Sequence, residues 1–243
     1  MEKIIYEGNI SVKAVLESNY RKVIALYVDQ KKKDRDTNYI INKAKLQQVP
    51  IHYCQREDID AKALGHSHGG LIAEVSSRSY QQPLDLKDCN FIAIIEGIED
   101  PFNYGFVLRS LYASGVQAII TTSRNWSNAE SVVAKSSAGA SEALMMVVND
   151  DLGAAIDALN HQFKIVCAAR NEHAIPMYDC DMRTKVCIAL GGEKRGLSKA
   201  VASRSDQDVY IPYGQNYRNA LSAASAAAVL AFEVNRQRYQ FDD

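Results

Sequence analysis

The sequence predicts an α/β protein in two parts, a small α/β domain followed by a larger one built on a mostly parallel sheet. Three observations carry this reading. Continuous apolar runs such as Phe91–Ile95 and Val186–Leu190 suit strands buried on both faces of a parallel sheet. Across the second part such runs alternate with helical stretches, the pattern of helix-covered sheets. Between the two parts, Ser76 to Asn90 is polar, contains Gln81-Gln82-Pro83 and shows no apolar period, which marks a linker. The domains expected are 1–80 and 91–243, with residues 81–90 between them.

Taken in order, Val12, Val15 and Leu16 fall at helical spacing within Ser11–Ser18, and Lys22–Val28 is a short apolar strand ending at Asp29. Lys31, Lys32, Lys33 and Arg35 form a charged loop. A helix follows over Thr37–Gln47, with Ile40, Ile41 and Ala44 inward and Thr37 suited to the N-cap. Val49–Cys54 is a strand with proline near its start, Glu57–Leu64 a short helix, and Leu71–Val75 a strand after the glycine-rich loop Gly65–Gly70.

In the second part, strands are expected at Phe91–Ile95, Ala118–Thr122, Ala143–Val148, Lys164–Ala168, Val186–Leu190 and Val209–Ile211. Helices are expected around Leu108–Ala113 and Asp151–His161, with a small-residue turn or helix at Lys135–Gly139. A final alanine-rich helix includes Asn219–Ala228 and carries one apolar stripe through Leu221, Ala224, Ala228, Ala231 and Phe232.

Composition narrows the function classes. The 243 residues are 47% hydrophobic and 23% charged, ordinary for a globular protein. No segment is apolar enough to span a bilayer, and the start Met1-Glu2-Lys3-Ile4-Ile5 lacks a signal-peptide pattern. A cytoplasmic location is expected. Five cysteines with no C-x-x-C pair argue for free thiols rather than a disulfide framework. The spacing of His52, Cys54, His66 and His68 is too loose for a structural zinc site, so no metal is expected. The net charge of −1 gives no general attraction for nucleic acid, and any RNA contact needs a local patch. Lys31, Lys32, Lys33 and Arg35 are the candidates, against the plainer reading of a solvated loop.

The residues that could carry chemistry lie at predicted strand ends, where open parallel sheets bind ligands. After the strand at Phe91–Ile95 comes Glu96-Gly97-Ile98-Glu99-Asp100-Pro101-Phe102-Asn103-Tyr104-Gly105, opening a helix that reaches Arg109. Asn103 could serve as its N-cap. Arg109 could grip a phosphate with paired hydrogen bonds, or be an ordinary surface arginine. The turn Leu190-Gly191-Gly192-Glu193-Lys194-Arg195-Gly196-Leu197 is neither G-x-G-x-x-G nor a P-loop, which argues against a dinucleotide-dependent oxidoreductase. With Ile211-Pro212 it would let backbone groups approach a flat, nucleoside-like ligand.

Asn103-x-Gly105-x-x-x-Arg109, Gly191-Gly192-Glu193-x-x-Gly196-Leu197, then Ile211-Pro212 and the alanine-rich helix occur in the order that resembles the SpoU family of RNA ribose 2′-O-methyltransferases. Lys135–Ala140 resembles that family's small-residue segment. Residues 1–80 resemble, more weakly, the ribosomal-protein-like substrate-binding domain often attached in front. The resemblance implies a trefoil-knotted sheet, a homodimer acting on rRNA or tRNA, and S-adenosyl-L-methionine held by backbone groups at Leu190, Gly191, Gly192, Gly196, Ile211, Pro212, Ala220 and Leu221. It assigns catalytic positions to Asn103, Arg109 and Glu193, with Glu193 orienting Arg109 or Asn103, and with Arg109 facing the partner subunit's cofactor. The third motif departs from the family's Ser-Leu-Asn-Val-Ser, because the chain has Ala220-Leu221-Ser222-Ala223-Ala224. Ser222 takes the asparagine's place with shorter reach. An RNA-binding protein that keeps the knot with weak or lost catalysis is therefore the alternative.

Overall fold

The computed structural model describes residues 4–123 and 129–239. In chain order its strands and helices begin with β1 Ile4–Glu7, α1 Gly8–Glu17, β2 Val23–Asp29, α2 Arg35–Leu46, β3 Ile51–Cys54, α3 Arg56–Asp60 and β4 Leu71–Val75. They continue with β5 Phe91–Glu96, α4 Pro101–Ala113, β6 Ala118–Thr121, α5 Glu130–Ser136, α6 Ala140–Ala143 and β7 Met145–Val148. The last are α7 Leu152–Asp157, β8 Lys164–Ala168, β9 Ile175–Pro176, β10 Val186–Gly191, α8 Lys199–Ala202, β11 Gln207–Tyr210 and α9 Ala223–Arg238. Short 3₁₀ turns occupy Pro83–Asp88 and Met177–Asp179.

Two compact units form. The first joins residues 4–79 to residues 129–143. Its four-stranded sheet has the order β1-β4-β2-β3, with β1 and β2 antiparallel to β4 and β3 parallel to β2. Leu26 and Val28 of β2 and Leu71, Ala73 and Val75 of β4 share one apolar core with Val12, Val15 and Leu16 of α1 and Ile40, Ile41 and Ala44 of α2. The periodicity of those helices thus leads directly to their buried faces. Ala134 of α5 belongs to the same core, so the segment carrying α5 and α6 packs in this unit although it lies between two strands of the other.

A buried charge cluster fastens that segment. Glu142 of α6 accepts from the Tyr6 hydroxyl at 2.7 Å and from Arg21 Nε at 3.2 Å, and Arg78 Nη1 lies 3.5 Å from the same carboxylate. Arg21 also pairs with Glu130 of α5. The Arg21 and Glu142 side chains are 3% and 2% exposed, so these charges depend on their partners within the cluster for compensation. Burial, followed by the Glu142 carboxylate beside it, raises the Tyr6 phenol well above its ordinary pKa.

The second unit comprises residues 80–123 and 144–239. Its seven-stranded sheet has the order β7-β6-β5-β10-β8-β11-β9, and every recorded pair is parallel. Its core includes Ile92 and Ile94 of β5, Ile120 of β6, Ile165 and Cys167 of β8, Cys187 and Ala189 of β10 and Val201 of α8. Leu86 and Cys89, in the polar stretch before β5, are buried in this core, their apolar side chains having no period that a short 3₁₀ turn would need.

Several local expectations are corrected. The N-cap of α2 is Asp34, which accepts from the Thr37 amide at 2.9 Å and the Thr37 hydroxyl at 2.8 Å. The N-cap of α4 is Asp100 rather than Asn103, since Pro101 fits the first helical position where an N–H is not needed. The last helix begins at Ala223, later than Asn219. The strand β1 and the two-residue β9 are additional to the expected set, both too short for an alternation to show. All five cysteines are free, four of them buried.

Candidate active site

Three adjacent parallel strands, β10, β8 and β11, end at the same edge, and a cavity of about 470 Å³ opens there. That size falls within the usual range for small-molecule sites, on the order of 300–1,000 Å³. Its lining includes the predicted residues Leu190, Gly191, Gly192, Glu193, Gly196, Ile211, Ala220 and Leu221. Residues separated by thirty positions meet because β10 and β11 flank β8.

The glycines are required by backbone crowding. A Cβ on Gly191 would lie 2.2 Å from the carbonyl carbon of Gly196 and 2.5 Å from the Leu197 nitrogen. A Cβ on Gly192 would lie 2.3 Å from the Gly97 oxygen, in the loop that follows β5. Main chain therefore presses on main chain across this wall, leaving amides and carbonyls as the groups a ligand can meet. Leu190, Leu197, Ile211, Leu221 and Leu230 supply apolar surface. Peptide edges combined with aliphatic sides fit the flat, hydrogen-bonding shape of an adenosyl group.

The segment before α9 is held by side chains reaching from both neighbouring loops. Tyr213 accepts from the Leu221 amide at 3.1 Å through its hydroxyl, and Glu193 accepts from the Ala223 amide at 3.2 Å. Ser222 caps α9, its hydroxyl accepting from the Ser225 amide at 3.2 Å. Within the chain Glu193 thus bonds the start of α9, a contact the sequence did not indicate. The lone acidic side chain fits there because the first amides of a helix lack intrahelical acceptors.

Asn103, Arg109, Pro212 and Ser222 are outside the cavity lining. Pro212 sits between Ile211 and Tyr213, which both line it. Asn103 and Arg109 are exposed on α4, and Arg109 makes no hydrogen bond or ion pair with the described residues. Sequence reasoning missed the strand-end residues Cys167–Asn171, together with Asp208 and Tyr213. Only the position of β8 between β10 and β11 reveals them. Among the predicted basic residues of the first unit, Lys31, Lys33 and Arg35 are exposed, while Lys32 pairs with Asp34 at 2.8 Å. Among the described residues no cluster of His, Cys, Asp or Glu could hold a metal ion, and no helix is long and apolar enough to cross a membrane.

The comparisons agree with this architecture. Residues 90–232 match the SpoU rRNA Methylase family, and residues 5–81 match RNA 2′-O ribose methyltransferase substrate binding. The 23S rRNA (guanosine-2′-O-)-methyltransferase RlmB of Shewanella oneidensis is 28% identical over 237 residues, covering 95% of this chain and 96% of the relative. Its counterpart in Yersinia pestis is 26% identical over 244 residues, covering 98% of each. Among solved structures, the AdoMet-bound rRNA methyltransferase from Sinorhizobium meliloti superposes with a TM-score of 0.79 at 17% identity, covering 98% of this chain and 89% of that one. The SpoU methyltransferase AviRb from Streptomyces viridochromogenes, in complex with AdoMet, gives 0.78 at 22%, covering 98% and 91%. With the motifs in order, the strand-end cavity formed and well over half the sequence matched, the chain belongs to the SpoU rRNA methylase family.

Proposed function

We propose that this protein is a methyltransferase that uses S-adenosyl-L-methionine to methylate a ribose 2′-hydroxyl in RNA, with ribosomal RNA as the substrate class. The observation that carries this reading is the cavity at the ends of β8, β10 and β11, with its glycine-crowded wall and peptide lining. Leu190, Gly191, Gly192, Gly196, Ile211 and Leu221 would hold the donor, and Pro212 and Ala220 would shape the segments carrying its backbone partners. The donor supplies an electrophilic methyl group on a sulfonium centre.

The chain's own task is alignment and charge compensation. Arg109 stays protonated and cannot act as a base at ordinary pH. Its free guanidinium would grip the phosphate next to the target ribose and stabilise negative charge developing on the 2′-oxygen. The phosphate or a water then takes the proton. Asn103, on the same exposed helix, would bond the ribose or its phosphate. Glu193 acts through the start of α9 by fixing the Ala223 amide, while Tyr213 fixes Leu221. Ser222, occupied as an N-cap, adds helix stability rather than the substrate contact expected of an asparagine there.

The active species in this reading is a homodimer formed through the second unit. Helices α4 and α9 pack together, and their outer faces leave Phe102, Phe106, Tyr112, Val229 and Phe232 between 37% and 55% exposed. So many large apolar side chains on one helix pair suit an interface. A Phe232→Asp variant that sediments as a dimer like the wild type would count against it. A dimer through α4 would bring Arg109 toward the neighbour's cavity, as its freedom from internal partners favours. The knot enters the reading in the same way. It rests on the likeness to the SpoU family over residues 90–232.

Lys31, Lys33 and Arg35 would meet RNA phosphates, with the cytoplasm as the place of action. The 2′-hydroxyl itself separates RNA from DNA. The test is transfer of labelled methyl from S-adenosyl-L-methionine to RNA from cells lacking the protein, followed by mapping of 2′-O-methyl positions. One or a few positions that fill only with active protein are expected. Equal labelling with heat-inactivated protein would refute an enzymatic role and leave the alternative of an RNA-binding protein.

A further inference from the structure

Charge accounting in the cavity isolates one side chain outside the family motifs. Four charged residues line it: Glu193, Asp208, Arg170 and Arg195. Both acids are engaged. Glu193 accepts from Ala223, while Asp208 accepts from Asn171 Nδ2 at 2.7 Å and from the Ser205 hydroxyl at 2.6 Å. Neither arginine has a hydrogen bond or ion pair with the described residues. The four formal charges balance, but the two arginines are the ones whose hydrogen-bond donors are left unused.

The two arginines differ in how they are held. Arg195 is exposed in the glycine-rich turn. Arg170 follows β8 and places its guanidinium carbon 4.8 Å from the centroid of the Tyr213 ring. Tyr213 is itself fixed through its hydroxyl to Leu221. A guanidinium resting on an aromatic face keeps its edge N–H groups available while losing rotational freedom. Arg170 is thus an oriented fork at the cavity rim, whose in-plane donors suit a planar oxyanion.

We propose that Arg170, held on Tyr213, binds the carboxylate of the methionyl part of S-adenosyl-L-methionine. The inference rests on the cofactor reading above and adds a residue to it. A carboxylate presents two oxygens in one plane, which a guanidinium can meet in paired fashion. The donor's adenosyl end would lie against the peptide and aliphatic wall, leaving its charged end for the polar rim. Arg170 holds the ligand without touching the transferred methyl, and Tyr213 is a positioning residue that acts through it.

Calorimetry of the full chain with S-adenosyl-L-methionine and with its decarboxylated form separates this contact from general damage. Removing one charge-assisted contact should weaken the intact donor about tenfold in an Arg170→Ala variant, with less than about a twofold change for the decarboxylated form. Arg170→Lys should recover part of the loss, while Tyr213→Leu, which also releases the Leu221 amide, should weaken both ligands and the intact donor more. Equal weakening of both ligands would overturn the proposal, since it would mean that Arg170 only shapes the cavity. An unchanged affinity for the donor, with weaker RNA binding and a flatter salt dependence, would assign the guanidinium to a phosphate and overturn it as well. Wild-type protein that binds neither ligand would instead bring down the cofactor reading, and this proposal with it.

Discussion

The internal cluster of the first unit and the candidate site of the second use arginine in opposite ways. In the first, Arg21 is buried, bonded to Glu142 and Glu130, and stacked 5.4 Å from the Tyr6 ring centroid. In the second, Arg109, Arg170 and Arg195 stand exposed with no acidic partner among the described residues. The internal cluster fastens helices α5 and α6 to their sheet. The free guanidiniums leave their donors to an outside ligand. What distinguishes architecture from function here is whether the surrounding fold completes the hydrogen bonding, not the residue type.

The largest expected effect comes from breaking the internal cluster. Glu142→Gln removes one of the two carboxylates paired with Arg21, the more deeply buried one, and losing one partner of a buried pair costs about 3–5 kcal/mol. Chemical denaturation should read that loss. If stability changed by only a few tenths, the cluster would not be the fastening it looks to be.

On the other side of the comparison, Arg109→Ala should leave stability unchanged and reduce methyl transfer by about 100-fold or more, the scale for removing one donor to developing charge. Donor affinity measured by calorimetry should stay the same. A variant with full activity would show that this exposed guanidinium is only surface.

Gly192→Ala probes the cavity wall. The added methyl meets the Gly97 carbonyl, which belongs to the main chain and cannot swing aside. A cost of about 1–3 kcal/mol is expected, with weakened donor binding. A wild-type melting temperature together with wild-type affinity would mean the wall is softer than its contacts imply.

The smallest effect belongs to a single cap. Asp34→Ala should cost about 1 kcal/mol near neutral pH. Lys32 and then the Thr37 amide and hydroxyl hold the Asp34 carboxyl well below its ordinary pKa. A depressed folded pKa gives stability that is present above the unfolded value, about 3.9, and lost as the pH falls toward the folded one. The difference between wild type and variant should therefore narrow only below about pH 4. A gap that closed between pH 6 and 8 would point to another group.

Much of the frame was legible in the chain. The apolar runs of β5, β8 and β10 and the spacing of Val12, Val15 and Leu16 state their own burial. The glycine turn and Ile211 could be placed at one cavity because motif order carried information that periodicity lacked. Helix starts were less legible. Asp34 and Asp100 outcompete Thr37 and Asn103 as caps because each carboxylate reaches two groups of the first turn. Arg170 and Tyr213 were invisible for a different reason. Their meeting depends on β11 lying beside β8, a strand order that no local pattern encodes.

A crystal structure of the full chain grown with S-adenosyl-L-methionine tests the central claim most directly. The account predicts the donor's adenosyl group between the Leu190–Gly196 turn and the Ile211–Leu221 segment, its carboxylate at Arg170 and its methyl facing a neighbouring subunit's Arg109. Donor density elsewhere on the protein, with this cavity left to solvent, would contradict it.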